Sequence, residues 1–263
     1  MEYKAHHITS KSSLHVNNED SFRVSDDYVI VADGMGGERD GAVASRLAVD
    51  AIAGVLSGGM HLAADETGMK KLLADAIDCA DSRILEYIGR NPDSFGMGTT
   101  VLLAIRKEDR IFISWCGDSH CYSYDNGCLH SLTKDHSYVQ ELVDAGEISE
   151  EESYAHPDNN LITRYVGGGK ETCGPDFISR RLSGSEVIIM CSDGLSGYCQ
   201  SKEIEKVVAK CKDMSRLPSR LRNLALRHGS DDDITIVVLA PMSVNLGNHE
   251  ASIFGWLKKM MHD

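Results

Sequence analysis

Small acidic residues lie beside apolar runs at five places in this chain. Three come at the end of a run typical of a buried strand, one comes just before the last such run, and a pair precedes a shorter run. They are Asp33, Asp118, Asp193, Asp232 and the pair Glu19-Asp20. Turns also favour aspartate, so any one position has an ordinary structural explanation. The five together predict strand ends that converge and place their carboxylates around a common point.

Converging carboxylates repel each other unless cations neutralise them. Because the set contains neither His nor Cys, it favours Mg²⁺ or Mn²⁺ over Zn²⁺. The glycines beside Asp33 and Asp193 let the backbone come close, so that a carbonyl can also ligate a cation. A cluster of this kind suits two-metal hydrolysis of a phosphate ester.

The composition limits the classes of protein to which the chain can belong. A formal net charge of -13 argues against a general nucleic-acid binder, although a bound divalent metal would still admit an anionic substrate. The N-terminus lacks the apolar core of a signal peptide, and no run reaches the roughly 18 apolar residues of a membrane span. The eight Cys form no CxxC pair and are interpreted as reduced thiols of a cytoplasmic protein.

The hydrophobic periodicity predicts the elements that must position these acids. Strands are predicted at 28–32, 99–105, 110–116, 121–124, 187–191 and 234–239, with a short segment at 21–24. Helices are predicted at 40–56, 69–88, 201–211 and 215–228. Two long helices come early, two come late, and the strands do not alternate strictly with them. The pattern therefore predicts a mixed α+β layered domain rather than a doubly wound parallel sheet.

Eight sequence blocks, taken in their order, resemble the metal-dependent protein serine/threonine phosphatases of the type 2C group, and most of all its small bacterial members. The blocks are NNED (17–20), VADGMGG (31–37), GMGTT (96–100), GDSHCY (117–122), LTKDHSYVQELVDAGEIS (132–149), HPDNNLITRYVGG (156–168), CSDGLSG (191–197) and DDITIVV (232–238). The resemblance implies a four-layer α-β-β-α sandwich with two central antiparallel sheets. It also implies a catalytic domain at 1–242, with a mobile flap at about 136–175 beside the active site.

The resemblance implies roles for the acids that the spacing picks out. Asp33 would bridge two Mn²⁺ or Mg²⁺ ions, and Gly34 would offer its carbonyl to one of them. Asp193 and Asp232 would hold the other ion. A water bridging the two metals would attack phosphorus in line, without a phospho-enzyme.

The same resemblance implies an outer set of residues and the partners of the protein. Glu19 and Asp20 would act through metal-bound water, and Asp118 with Asp193 would form a third, weaker metal site. The partners would be phosphorylated protein substrates and a cognate Ser/Thr kinase. We expect a monomer that binds no nucleic acid and does not insert stably into a membrane.

The chain departs from the family pattern at several positions near these blocks. His15 stands where the family usually has an Arg that binds substrate phosphate, so either His15 or another basic group serves here. Met35 and Glu38 occupy positions at which relatives carry His, so a metal-bound water is the expected proton donor for the leaving group. His120 replaces the Arg of GDSR, and Asp233 replaces the Asn of a usual Asp-Asn pair. We expect small effects from these two, with Asp233 slightly strengthening metal binding.

Two further hypotheses stay open at this point, together with the interpretation of the C-terminal tail. The chain could be a dedicated regulatory phosphatase of a single partner, or a non-catalytic module that binds phosphoproteins. Residues 243–263 place apolar side chains on one helical face, which predicts a short amphipathic helix. That helix would dock on a partner or pack on its own domain.

Overall fold

The computed structural model describes residues 2–37 and 40–242. The predicted tail helix and Glu38 lie outside the described residues. The strands are β1 Tyr3–Ser10, β2 Asp20–Val24, β3 Tyr28–Met35, β4 Gly98–Thr99, β5 Val101–Lys107, β6 Arg110–Cys116, β7 His120–Asp125, β8 Cys128–Ser131, β9 Asp176–Arg181, β10 Val187–Cys191 and β11 Ile234–Pro241. The α-helices are α1 Asp40–Gly59, α2 Glu66–Arg90, α3 Tyr138–Asp144, α4 Glu150–Ser153, α5 Asp193–Ser196, α6 Ser201–Ala209 and α7 Leu217–Arg227, and 3₁₀ turns lie at Pro92–Ser94 and Met214–Arg216.

The strands form two antiparallel sheets. One has the order β1-β11-β10-β7-β8, and the other has the order β2-β3-β5-β6-β9 with β4 paired to β3. The first strand pairs with the last along its whole length, from Tyr3 opposite Pro241 to Ser10 opposite Ile234. The two ends of the described chain therefore close the same sheet.

Strand alternation separates the core into layers. On β3, Ile30 and Ala32 pack with α1 and α2, whereas Val29 and Val31 pack against residues of the other sheet such as Ile188. Because successive side chains point to opposite faces, one strand serves both layers. A third cluster joins the outer face of the five-stranded sheet to α5, α6 and α7. The predicted α-β-β-α sandwich is confirmed.

The strands that the sequence did not predict are β1, β8 and β9, and all three lie at sheet edges. Their residues are mostly half-buried or exposed, so they show no apolar run. The prediction that the strand at 28–32 stops at Asp33 is wrong, because β3 continues through Asp33 to Met35. The predicted helices at 40–56 and 69–88 are present and extend by several residues.

Helix α1 needs a separate comment because the stretch Asp40–Leu62 is long and apolar enough to cross a membrane, by length and composition alone. Its apolar face packs on the sheet and on α2, with Ala44, Ala48 and Ile52 fully buried. The core helix of a soluble protein passes the same test, and the packing gives α1 that interpretation.

Candidate metal centre

The predicted acids meet at one end of the sandwich, where the two sheets face each other. Asp20 on β2 lies directly opposite Asp33 on β3 in the six-stranded sheet. Asp193 begins α5 just after β10, and Asp232 lies just before β11, so both belong to the five-stranded sheet. Ser192 Oγ connects the two sheets by donating to Asp20 Oδ2 at 2.8 Å. The structure therefore brings together acids that are up to about 210 residues apart in sequence.

Two threonines fix the backbone of Asp33. The Asp33 N–H donates to Thr100 Oγ1 at 3.0 Å, and the Asp33 carbonyl accepts from Thr100 N and from Thr99 Oγ1, each at 2.8 Å. Thr100 Oγ1 also shares a hydrogen bond of 2.7 Å with Ser119, the neighbour of Asp118. The GMGTT block thus supports two acids at once, a role that sequence reasoning did not assign to it.

Gly34 is required by a close approach between β3 and the start of α1. A Cβ at residue 34 would lie 2.0 Å from the Gly41 carbonyl oxygen and 2.8 Å from that of Glu19. The Glu19 carboxylate lies against Gly41, where a Cβ would be 2.7 Å from its Oε2. The packing of α1 is thus sufficient reason for glycine at this position, besides the exposure of a carbonyl to a cation.

Burial gives the acids an unusual electrostatic state. It raises the pKa of Asp33, which Asp20 and Asp193 raise further by their charges, and it raises the pKa values of Asp118 and Asp193. The pKa of Asp20 rises to about 8 and that of Asp232 to about 7, with burial the main cause and the Asp193 charge adding to it. Ionising all five together is unfavourable unless cations bind among them.

The donor set fits a hard divalent cation. Asp20 Oδ1 and Asp193 Oδ1 are buried and have no hydrogen-bond partner among the described residues. Buried carboxylate oxygens carry a desolvation cost that a hydrogen bond or a metal normally offsets. Oxygen donors of this kind suit Mg²⁺ and Mn²⁺.

The Asp233 carboxylate anchors the loop at residues 11–19 by accepting hydrogen bonds from its backbone. Its Oδ1 accepts from Ser12 N at 2.6 Å, and its Oδ2 accepts from Glu19 N at 2.6 Å. His15 Nδ1 lies 3.1 Å from the same Oδ2. Burial lowers the pKa of His15, but the hydrogen bond and charge of Asp233, together with the charges of Asp232 and Glu19, raise that pKa overall. The carboxylate that replaces a family Asn is thus engaged by the loop, and His15 is held beside it.

Two other histidines near the acids have identifiable partners. His120 Nδ1 lies 2.8 Å from Asp135 Oδ1, and its Nε2 contacts Ser131 Oγ. His136 is buried, accepts from Gly117 N at 3.1 Å and lies 3.3 Å from an Asp176 oxygen. These two contacts give His136 a structural role between Gly117 and Asp176. No sequence signal had pointed to the pairing of His120 with Asp135.

A cleft of about 470 Å³ separates the acids from the segment at residues 136–175. Asp118, Asp193 and Asp232 line the cleft, together with residues of that segment such as Tyr154. The end of the segment is held to α2, because Asp81 Oδ1 accepts from Gly167 N at 2.7 Å and from Gly169 N at 3.1 Å. The cleft gives a substrate a route to the carboxylates.

Comparison with known proteins agrees with this geometry. The family model described as "Protein phosphatase 2C" matches residues 7–227. The chain belongs to the protein phosphatase 2C family. It is 33% identical to the serine/threonine protein phosphatase PstP of Mycobacterium tuberculosis over 249 residues, which are 94% of this chain and 46% of that protein. The serine/threonine phosphatase Stp of Listeria monocytogenes is 32% identical over 236 residues, which are 88% of this chain and 93% of that one.

Solved structures of the 2C family give the same result. The crystal structure of Mycobacterium tuberculosis PstP/Ppp superposes with a TM-score of 0.81 at 33% identity, and covers 91% of this chain and 99% of that one. The catalytic domain of PstP in complex with two manganese ions superposes with a TM-score of 0.80 at 30% identity, and covers 90% and 97%. The chain spans about half the length of full PstP and nearly all of the crystallised PstP domain.

Proposed function

We propose that this chain hydrolyses phosphoserine and phosphothreonine in proteins, with Mn²⁺ or Mg²⁺ bound among its carboxylates. The observation that carries the proposal is the convergence of five buried or half-buried aspartates from both sheets, with burial raising the pKa of each. Membership of the protein phosphatase 2C family supports it. So does the manganese in the PstP catalytic domain.

Two groups of residues would form the site: those that bind the cations, and those that position the cation-binding side chains. Asp33, Asp193 and Asp232 would hold two cations, with the Gly34 carbonyl as a further donor. Divalent cations at such a site activate water as a nucleophile and withdraw charge from the phosphoryl oxygens. Thr100 keeps Asp33 in place through a hydrogen bond to its backbone N–H.

An outer set of acids completes the proposed site. Ser192 orients Asp20 by donating to its Oδ2, and Asp20 Oδ1 has no hydrogen-bond partner among the described residues. Asp20 and Glu19 would act through water, and Asp118 with Asp193 would hold a third, weaker cation. The cleft beside Asp118 would receive the phosphorylated segment of the substrate, under the segment at 136–175.

The cellular setting follows the same proposal. All eight cysteines are free thiols, which supports a reducing compartment such as the cytoplasm. The substrates would be phosphoproteins made by a Ser/Thr kinase. The monomeric state expected from the sequence stays a prediction.

Hydrolysis of p-nitrophenyl phosphate and of a phosphothreonine peptide tests the proposal. With Mn²⁺, the wild-type chain should turn over both, and chelation by EDTA should abolish the turnover. Asp33→Asn and Asp193→Asn should each lower kcat about 10³-fold, because each removes a carboxylate that would hold the cations that activate water and withdraw charge from the phosphoryl oxygens.

Asp75→Asn is the matched control, since Asp75 is exposed on α2 and forms an ion pair with Lys71. It should leave kcat unchanged. Hydrolysis that persists in EDTA, or an Asp33→Asn variant with full activity, would contradict the proposal. Tight phosphopeptide binding without hydrolysis would favour the non-catalytic binding module instead.

A further inference from the structure

The loop at residues 11–19 brings an imidazole to the edge of the carboxylate cluster. A ring nitrogen of His15 and carboxylate oxygens of Asp232 and Asp233 lie within 4.8 Å of one another. His15 belongs to the loop before β2, whereas the two acids precede β11. An imidazole and two carboxylates from two segments of the chain thus lie close enough together to hold one cation.

Asp233 sets the orientation of the imidazole. Its carboxylate accepts from two backbone amides, Ser12 N and Glu19 N, each at 2.6 Å, and also contacts His15 Nδ1. Asp233 is only 1% exposed, so this arrangement is held inside the protein. With Nδ1 engaged by the carboxylate, the ring nitrogen left for a ligand is Nε2. A carboxylate that orients a metal-ligating histidine in this way is a common arrangement in metalloproteins.

The loop itself is built to hold His15 in place. Ser12 Oγ donates to the Asp231 carbonyl at 2.7 Å and accepts from Leu14 N at 3.0 Å. Lys11 Nζ donates to the Ser12 carbonyl at 3.1 Å and contacts that of His15. The His15 side chain is 27% exposed, so a cation can reach it from solvent. A ligand held before the cation arrives loses little conformational entropy on binding.

We propose that His15 is a nitrogen ligand of the cation held by Asp232, with Asp233 as its orienting carboxylate. This inference rests on the proposed function for the presence of a cation at Asp232. It makes the cation site of this chain a mixed nitrogen and oxygen site rather than an all-oxygen one.

The proposal has a consequence for the choice of metal. Imidazole suits transition metals, whereas Mg²⁺ takes oxygen ligands almost exclusively. A nitrogen donor from His15 should therefore favour Mn²⁺ over Mg²⁺. Removing the imidazole should weaken Mn²⁺ binding about 10- to 100-fold and weaken Mg²⁺ binding less.

Pulsed electron paramagnetic resonance of Mn²⁺ bound to the full chain tests the assignment directly. The wild-type spectrum should show coupling of the manganese to a bound ¹⁴N nucleus. Labelling the histidines with ¹⁵N should change the modulation frequency, which needs no substitution. The coupling should vanish in His15→Gln, and calorimetry should show the Mn²⁺ Kd rising more than the Mg²⁺ Kd.

His130→Gln is the matched control, because His130 is exposed on β8 and should leave the coupling intact. Absence of nitrogen coupling in the wild-type protein would overturn the proposal, as would coupling that survives in His15→Gln with a native circular dichroism spectrum. If the wild-type chain hydrolyses phosphopeptides but shows no coupling, only this inference fails. If it shows the coupling but hydrolyses nothing, the inference stands and the proposed function fails.

Discussion

Strand β10 has an acidic residue at each end, and the two carboxylates have opposite surroundings. One is paired with an arginine, and the other lies among further acids. Glu186 precedes the strand with its side chain fully buried, 2.8 Å from an Arg180 guanidinium nitrogen. It also accepts from Ser183 N at 3.1 Å and bonds Ser123 Oγ. Asp193 follows the strand among other acids, and its Oδ1 is buried without a hydrogen-bond partner among the described residues.

The difference between the surroundings of Glu186 and Asp193 indicates which end of the sandwich binds a cation. Burying a carboxylate costs free energy at either end, and the protein offsets that cost at Glu186 with its own cation. Across residues 2–37 and 40–242, no Lys or Arg forms an ion pair with Asp20, Asp33, Asp118, Asp193 or Asp232. The charge at one end of β10 is thus neutralised by the protein itself, whereas the proposed site at the other end would be neutralised by cations from solution.

The sharpest test of this contrast is the effect of metal and pH on stability. In EDTA, the unfolded chain releases aspartate protons near pH 4, whereas folded Asp20 keeps its proton up to a pKa of about 8. The folded state then binds more protons in this range, so the free energy of unfolding should fall as the pH rises from about 4 to about 8. At about 1,000 times its Kd, Mn²⁺ should add about 4 kcal/mol.

Thermal unfolding at pH 6 and pH 8, with EDTA or Mn²⁺, measures this effect. The gain from Mn²⁺ should be larger at pH 8, because protons compete with the metal at pH 6. An equal gain at both pH values, or none, would mean that the acids are satisfied without cations.

Breaking the ion pair between Arg180 and Glu186 should lower the free energy of unfolding without changing catalysis. Arg180→Met leaves the buried Glu186 charge without its cation and should cost about 2–3 kcal/mol, at the low end for a buried pair because Arg180 is a third exposed. Denaturant unfolding measures this cost, and kcat of the folded fraction should not change. Arg181→Met is the control, because Arg181 is 77% exposed and its loss should cost no more than about 1 kcal/mol. A fall in kcat for Arg180→Met would show that the two ends are coupled.

The smallest expected effect concerns the Ser192 hydroxyl, which links the two sheets beside the carboxylate cluster. Ser192→Ala removes the donor to Asp20 and the acceptor of Thr235 N at 2.9 Å. Because Ser192 is fully buried, the loss should cost about 1–2 kcal/mol, and the Mn²⁺ Kd should rise several-fold. Ser57→Ala, at an exposed position of α1, is the control and should stay within about 0.5 kcal/mol. Unaltered Mn²⁺ binding in Ser192→Ala would show that Asp20 needs no orientation.

The sequence predicts the central strands and the long helices well because their periodicity is strong. The strand at 110–116 has the bounds of β6, and that at 187–191 has the bounds of β10. The edge strands β1 and β9 escape detection because one side of each lacks a neighbour, so their polar side chains reach solvent. Their place in the sheets is set by pairing with distant partners, which local pattern does not encode.

The acids of the candidate site can be predicted, but the groups that hold them cannot. Asp33 and Asp193 stand out because a charge beside an apolar run is unexpected. Thr100 and Ser192 are ordinary polar residues whose importance comes from contacts 67 and 172 residues away in sequence. In the sequence, Asp233 cannot be told apart from the neighbouring acids. Its contacts with Ser12 and His15 in the structure show that it holds a loop in place.

The pairing of β1 with β11 has a consequence for how the molecule is assembled. The nearest partner of Tyr3 is Pro241, so the five-stranded sheet cannot close until nearly the whole described chain has been made. Contacts of such long sequence separation form slowly, because a large loop must close first. The six-stranded sheet, whose strands lie between Asp20 and Arg181, has no such constraint. Asp232, which lies two residues before β11, therefore reaches the other acids last, and a nascent chain cannot complete the proposed cation site before β11 is in place.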